Sequence, residues 1–363
     1  MISLVKGVLM YIENLGANKK HLMQCVNYMR YVGSKPSHIV RYSPITLSVA
    51  ATDRCNFKCG MCQTHSGIIG DFPFKHKPSK DVDFALFKKF VDKFRGALNL
   101  AIVGTGEPML NKDFFKMVEY GKKVMRMRVR TSSNGTFDEP KAEQMLSSGL
   151  DIITISLNGH NADEFDRMTN MGKDTFEIIL NKIKFLVKKR SLSKSKLDIA
   201  CSFVIDQKNY VHIPDMIKLS DDLGVDGAEF YNFLPAPFRG FTAEERCLTS
   251  DNISAVKFLS GIDLSKYRCR VCLPRIIDSS GQWNMCPASF TTIRIDGDGN
   301  IGGCPIMLLN LENNGKFEDK NVWNNEYFQK LRKSFLNKNE DNRCPPCKSC
   351  CGSCGIEIRA CGV

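Results

Sequence analysis

The 363-residue chain is 43% hydrophobic and 25% charged, a composition that excludes wholesale disorder and leaves room for one large core plus a smaller appendix. Its formal net charge of +12 comes largely from lysines spread over helix-like faces, such as Lys182, Lys184, Lys188, Lys189 and Arg190. No arginines interleave with aromatics, so no nucleic-acid partner is expected.

Residues 1–44 read as an N-terminal helical segment packed on the rest of the chain. Val5, Val8, Leu9 and Ile12 share one face, and Leu22, Cys25, Val26 and Met29 another. The opening run is broken by Lys6 and ends at Glu13, too short and polar to cross a bilayer and without a secretory pattern. Sixteen cysteines in such a chain point to a reducing cytoplasm and metal-bound thiolates rather than disulfides, with no membrane association.

From Ile45 the pattern alternates. Strand-like runs at 45–50, 98–103, 126–132, 151–157, 197–205 and 227–233 are separated by helix-periodic stretches at 83–95, 111–124, 139–148, 174–190 and 210–223. This predicts an α/β fold, a partial (β/α)6 TIM-like barrel over 45–235 with its chemistry at the carboxyl ends of the strands. The loop after the first strand carries Cys55, Cys59 and Cys62 at C-x3-C-x2-C spacing. Three thiolates there can hold three irons of a 4Fe-4S cube and leave the fourth open to a small molecule. A zinc site completed by His65, or three buried thiols, is the competing reading.

Later loops carry Gly104-Thr105-Gly106-Glu107-Pro108, then Ser132 and Asn134 before Gly135, then Ser156, Asn158 and Arg167, then Asn209. Glycine lets backbone approach a ligand and a carboxylate suits a cation, but each loop alone is also an ordinary turn, and Asn209 a helix cap. Glu229 and Tyr231 alternate with apolar residues on the sixth strand, with nothing to choose between them. The six histidines form no close pair in sequence and are read as structural. Residues 236–363 form a linker that includes Cys247 and a cysteine-dense tail, with ten of the sixteen cysteines from Cys269 onward. Within it, Cys286 and Cys304 flank a hairpin turn at Ile295–Asn300, and Cys344, Cys347, Cys350, Cys351, Cys354 and Cys361 follow a helical stretch.

Together these motifs resemble the radical S-adenosylmethionine (SAM) superfamily over roughly residues 45–235, with Met61 at the apolar position of C-x3-C-x-Φ-C. The resemblance implies a SAM-binding 4Fe-4S cluster on Cys55, Cys59 and Cys62. An electron from a flavodoxin- or ferredoxin-type donor then cleaves SAM to a 5'-deoxyadenosyl radical, which takes hydrogen from substrate. By the same resemblance Gly104, Thr105, Gly106 and Glu107 face SAM's ammonium, Ser132, Asn134, Ser156 and Arg167 its polar groups, and Asn209 its methionine moiety. Asn158 departs from the aspartate many relatives carry and is left unassigned.

The tail resembles the SPASM extension, which holds auxiliary 4Fe-4S clusters. Cys286-x12-Gly299-x4-Cys304 fits its first half in full, whereas the five-residue spacer of the second half is missing. The resemblance gives one cluster Cys286, Cys304 and Cys354, with Cys269 or Cys272 nearby. A second cluster takes Cys344, Cys347, Cys350 or Cys351, and Cys361. A zinc ribbon on Cys344, Cys347, Cys351 and Cys354 is the rival. The expected activity is oxidation of a peptide, sugar or small molecule. The alternatives are epimerisation with Cys201 or Cys247 as hydrogen donor, and a non-catalytic iron-sulfur or zinc protein.

Overall fold

The computed structural model describes residues 19–66, 80–234, 244–280, 285–304, 314–337, 347, 350 and 355–357. All six expected strands form: β1 (Thr46–Ala50), β2 (Asn99–Val103), β3 (Arg128–Ser133), β4 (Ile152–Ser156), β5 (Asp198–Ile205) and β6 (Gly227–Asn232). They lie side by side in sequence order, every pair parallel. The fold is α/β, a partial barrel whose outer face is covered by helices.

Alternation along the strands separates the two faces. Leu47, Val49, Leu100, Ile102, Val129, Ile153, Ile155, Ile199 and Phe203 are fully buried in the main core. They share that core with Phe87 and Phe90 of α2 (Phe84–Lys93), Met145 of α4 (Glu139–Ser148), Ile179 and Ile183 of α6 (Lys173–Ser193) and Ile217 of α7 (Ile213–Leu223). The other face carries polar rows across the register. One runs Arg294–Ser48–Ala101–Arg130–Ile152, and one nearer the carboxyl ends runs Ser156–Ser202–Glu229–Cys272.

Two helices differ from expectation. The stretch expected to be helical over 111–124 becomes α3 only at Phe114–Glu119, passing into a π turn at Tyr120–Val124. It starts late because the Asn111 amide donates to the Ala51 and Val82 carbonyls, at 2.7 and 2.8 Å, and holds its segment as a loop. Helix α1 (Lys19–Gly33) turns its polar face inward. Leu22 is 63% exposed and Met29 55%, while His21, Gln24 and Asn27 are buried. The Gln24 amide donates to the carbonyls of Ala97 and Met125, at 2.9 and 3.0 Å, and that of Asn27 to Gly96, at 2.9 Å. These carbonyls lie on the turns that lead into β2 and β3, where no strand partner meets them, so amides outcompete leucines for the inner face. Residues 1–18 lie outside the described residues.

The tail supplies both edges of the sheet. β7 (Arg270–Cys272) pairs parallel with β6, and β9 (Thr292–Ile295) pairs parallel with β1. The expected hairpin is present: β10 (Ile301–Gly302) returns antiparallel to β9, and the Asp296 carboxylate accepts the Asp298 and Asn300 backbone N–H groups, both at 3.0 Å. β8 (Ile276–Ile277) pairs with β11 (Gly355–Ile356) in a separate two-stranded sheet. Three further helices, α5 (Ala162–Thr169), α8 (Ile253–Gly261) and α9 (Ala288–Thr291), fill connections, and α10 (Glu326–Leu336) covers the hairpin. Arg332 of α10 is fully buried without a carboxylate. It donates instead to the carbonyls of Ser289, His38 and Trp323, and stacks 4.3 Å over the Trp323 ring.

Candidate functional site

The loop leaving β1 holds the three clustered cysteines, and backbone amides aim at their sulfurs. Phe57 N–H donates to Cys55 Sγ at 3.4 Å, and Thr64 and His65 N–H to Cys62 Sγ at 3.5 and 3.3 Å. Burial, then the neighbouring Cys62 and Cys55 sulfurs, pushes the Cys59 thiol up to about 12. Burial and neighbouring sulfurs raise the Cys55 and Cys59 thiols, which are costly to ionise unless a cation sits among them. A trio with N–H donors on its sulfurs therefore fits a metal cluster better than a packing role. The His65 ring engages the Thr105 carbonyl, with Nε2 3.1 Å from that oxygen.

The loop after β2 clasps the cysteine loop from one side. Gly106 N–H donates to the Thr52 carbonyl and Glu107 N–H to that of Arg54, at 3.2 and 2.9 Å, and the Thr105 hydroxyl bonds the Asp53 carboxylate. A Cβ on Gly106 would stand 1.9 Å from the Arg54 oxygen, so only glycine permits this contact. Glu107 is buried, and its oxygens accept from the Met109 and Asn134 N–H groups, at 3.2 and 2.7 Å. Burial raises its pKa against these hydrogen bonds. The side chain braces the loops, so a cation approaching here meets backbone of 104–106 rather than the Glu107 carboxylate.

From β3, Ser132 lies half-buried on the inner face, and Asn134 donates to the Asn56 side chain at 2.8 Å, tying this loop to the cysteine loop. From β4, Ser156 is half-buried on the same face. Asn158 has φ +56 and accepts Val204 N–H at 3.0 Å, which gives it a bracing role.

Arg167 and Asn209 are committed elsewhere. Both Arg167 Nη atoms reach the Asp206 carboxylate, at 3.0 and 3.2 Å, and its Nε reaches Glu164, at 2.8 Å. Arg246, from the segment after the barrel, donates to the same Asp206 carboxylate at 2.9 Å and stacks 4.4 Å over Phe233. Asn209 is fully buried, accepting Asp206 N–H at 2.8 Å and donating to the Val204 carbonyl at 3.0 Å. Its amide is used up within its own loop, which corrects the expectation that it faces SAM.

A cavity of about 650 Å³ opens beside the cysteine loop. Met61 and Gln63 line one side, Glu229 and Tyr231 of β6 another, and Cys272 and Cys350 of the tail a third. The Tyr231 hydroxyl donates to Glu229 Oε2 at 2.6 Å. Burial, then the Glu229 charge, raises the Tyr231 pKa, so the phenol holds its proton. Sequence reasoning singles out this pair but cannot place it; the register with Cys272 does.

The cysteines outside the loop sort by position. Cys272 lies in the cavity wall. Cys269 packs instead against Asp221 of α7, its N–H 2.8 Å from Oδ1. Cys286 and Cys304 are half-buried, Cys347 is buried and Cys350 half-buried. Cys344, Cys351, Cys354 and Cys361 lie outside the described residues. The hydrogen-donor expectation for Cys201 is corrected: it faces the outer core, fully buried and bonded to Ser220 of α7, away from the cavity. Cys247 is buried as well, and it does not line the cavity. His160 and His212, read as unrelated, stack with ring centroids 4.4 Å apart. They are distant in sequence, and only the pairing of β4 with β5 brings their loops together.

Comparison with known proteins agrees with this geometry. Residues 49–197 match the family described as the radical SAM superfamily. A probable GTP 3',8-cyclase of Saccharolobus solfataricus is 26% identical over 270 residues, covering 71% of this chain and 82% of that protein. The pre-heme d1 synthase of Dinoroseobacter shibae is 29% identical over 199 residues, 54% of this chain and 45% of that protein. In fold, Streptococcus suis SuiB bound to S-adenosylmethionine superposes with a TM-score of 0.64 at 15% identity, covering 96% of this chain and 82% of SuiB. The anSMEcpe structure with AdoMet and a Cp18Cys peptide gives 0.61 at 18% identity, covering 86% and 89%. Enzymes of this family bind SAM and a 4Fe-4S cluster. With its cysteine loop at the head of a six-stranded parallel partial barrel, the chain carries a radical SAM domain, matched over residues 49–197.

Proposed function

We propose that the chain is a radical SAM oxidoreductase that removes hydrogen from a peptide, sugar or small-molecule substrate held in the 650 Å³ cavity. Residues 45–235 are the radical-generating barrel, residues 236–363 hold one or two auxiliary 4Fe-4S clusters in a SPASM-like arrangement, and residues 1–44 brace the barrel. The carrying observation is that one cavity is walled by Met61 of the cysteine loop and by Cys272 and Cys350 of the tail. A substrate there has the radical source on one side and tail cysteines on the other. SuiB and anSMEcpe, each solved with a bound peptide, favour a peptide side chain as the group admitted.

Cys55, Cys59 and Cys62 hold the radical-generating cluster. With SAM bound, that cluster supplies a carbon radical able to take a hydrogen atom from the substrate. The backbone of Gly104–Gly106 and the half-buried Ser132 and Ser156 orient SAM. Glu229, which accepts the Tyr231 hydroxyl at the cavity wall, is placed to accept a proton from substrate. The outward position of Cys201 and the burial of Cys247 favour oxidation over epimerisation. The test is anaerobic turnover of candidate peptides and small metabolites, read by mass. A product two hydrogens lighter supports the reading; a product of substrate mass that gains one deuterium at carbon when the reaction is run in deuterated water overturns it in favour of epimerisation.

A further inference from the structure

On the carboxyl-end rim of the barrel, apart from the cavity, two imidazoles and a carboxylate converge. His160 sits on the loop leaving β4 and His212 at the start of α7, their rings stacked 22° from parallel. Asp215, one helical turn further along α7, places Oδ2 3.3 Å from His212 Nδ1. One ligand atom from each of the three lies within 4.8 Å of the other two. None of the three lines the cavity.

His160 carries the second observation. Asn161 caps α5 through Oδ1, which accepts Glu164 N–H at 2.9 Å, and this directs its amide nitrogen to His160 Nε2, also at 2.9 Å. An amide N–H can only donate, so Nε2 holds the lone pair of the neutral ring and Nδ1, buried with no hydrogen-bond partner, holds its proton; a cation would bind through Nε2 in exchange for the Asn161 contact. The neighbouring Glu164 carboxylate is taken by Arg167 and offers no alternative partner.

We propose that His160, His212 and Asp215 form a mononuclear site for a borderline divalent cation of the zinc class, bridging the loops after β4 and β5. Two imidazoles and one carboxylate suit zinc, nickel, cobalt or ferrous iron better than calcium or magnesium, which prefer all-oxygen sets. Metal bonds of roughly 2.0–2.2 Å bring ligand atoms to roughly 3 Å apart. Asp215 is exposed and both histidines half-buried, so rotation of their side chains can close the remaining distance. Water completes the coordination.

The probe is zinc itself. Anaerobic, cluster-loaded protein is dialysed against micromolar zinc, and bound metal is counted beside His160→Ala, His212→Gln and the double variant, which share every cysteine with the native chain. The native protein should hold one more zinc per chain than the double variant, and each single variant should bind that ion roughly tenfold or more weakly. Zinc should raise the melting temperature of the native protein beyond that of the double variant. Metal-free melts of all four proteins guard against misfolding. Equal zinc in native and double variant, with matched metal-free melts, overturns the site.

Discussion

Asp206, itself 1% exposed, draws two partly exposed guanidinium groups onto its carboxylate. Burial alone would raise its carboxyl pKa, but hydrogen bonds from Arg167 and Arg246 and the Lys208 N–H bring it below its ordinary 3.8. Its stabilising contribution is therefore complete above the unfolded value and disappears as pH falls through the folded one. Asp206→Asn should cost about 2 kcal/mol at pH 7, below the usual figure for a broken buried pair because both arginines are partly exposed. Urea melts of variant and native protein should converge below pH 3.8. A gap that stays constant with pH would mean the carboxylate charge is not what holds the arginines. At this scale the cysteine trio is legible because its spacing is local. Arg167 is not, because its partner Asp206 comes from another loop and is shared with Arg246, while Asn209 spends its amide on the Asp206 N–H and the Val204 carbonyl of its own loop.

Elements show the same contrast of local pattern against distant pairing. The six strands are readable from apolar runs between helical periods, since parallel strands buried on one face by helices need such residues. The inward face of α1 is not, since Leu22, Cys25, Val26 and Met29 form the more obvious stripe. The carbonyls of Gly96, Ala97 and Met125 decide the matter, and nothing in the helix reveals them. Gln24→Ala should therefore cost about 1–2 kcal/mol, leaving two buried carbonyls short of a donor, whereas Leu22→Ser should stay within about 0.5 kcal/mol. Thermal melts of the two variants distinguish them, and a larger loss from Leu22→Ser would contradict this orientation of α1. The pairing of β9 with β1 is equally hidden, as four residues near the end of the chain carry no mark of a partner near its beginning.

For the molecule as a whole, the tail completes the barrel's sheet at both edges and brings Cys272 and Cys350 to the cavity. Cys272→Ala and Cys350→Ala should each lower the iron content of the reconstituted protein while SAM cleavage persists. Full iron content in both variants would remove the tail from cluster binding. The most direct test of the account lies at the other wall. Anaerobically reconstituted protein, given a reductant and SAM, should release 5'-deoxyadenosine, and the combined Cys55→Ala, Cys59→Ala, Cys62→Ala variant should release none. Equal release from the two proteins, or none from iron-loaded native protein, would contradict it.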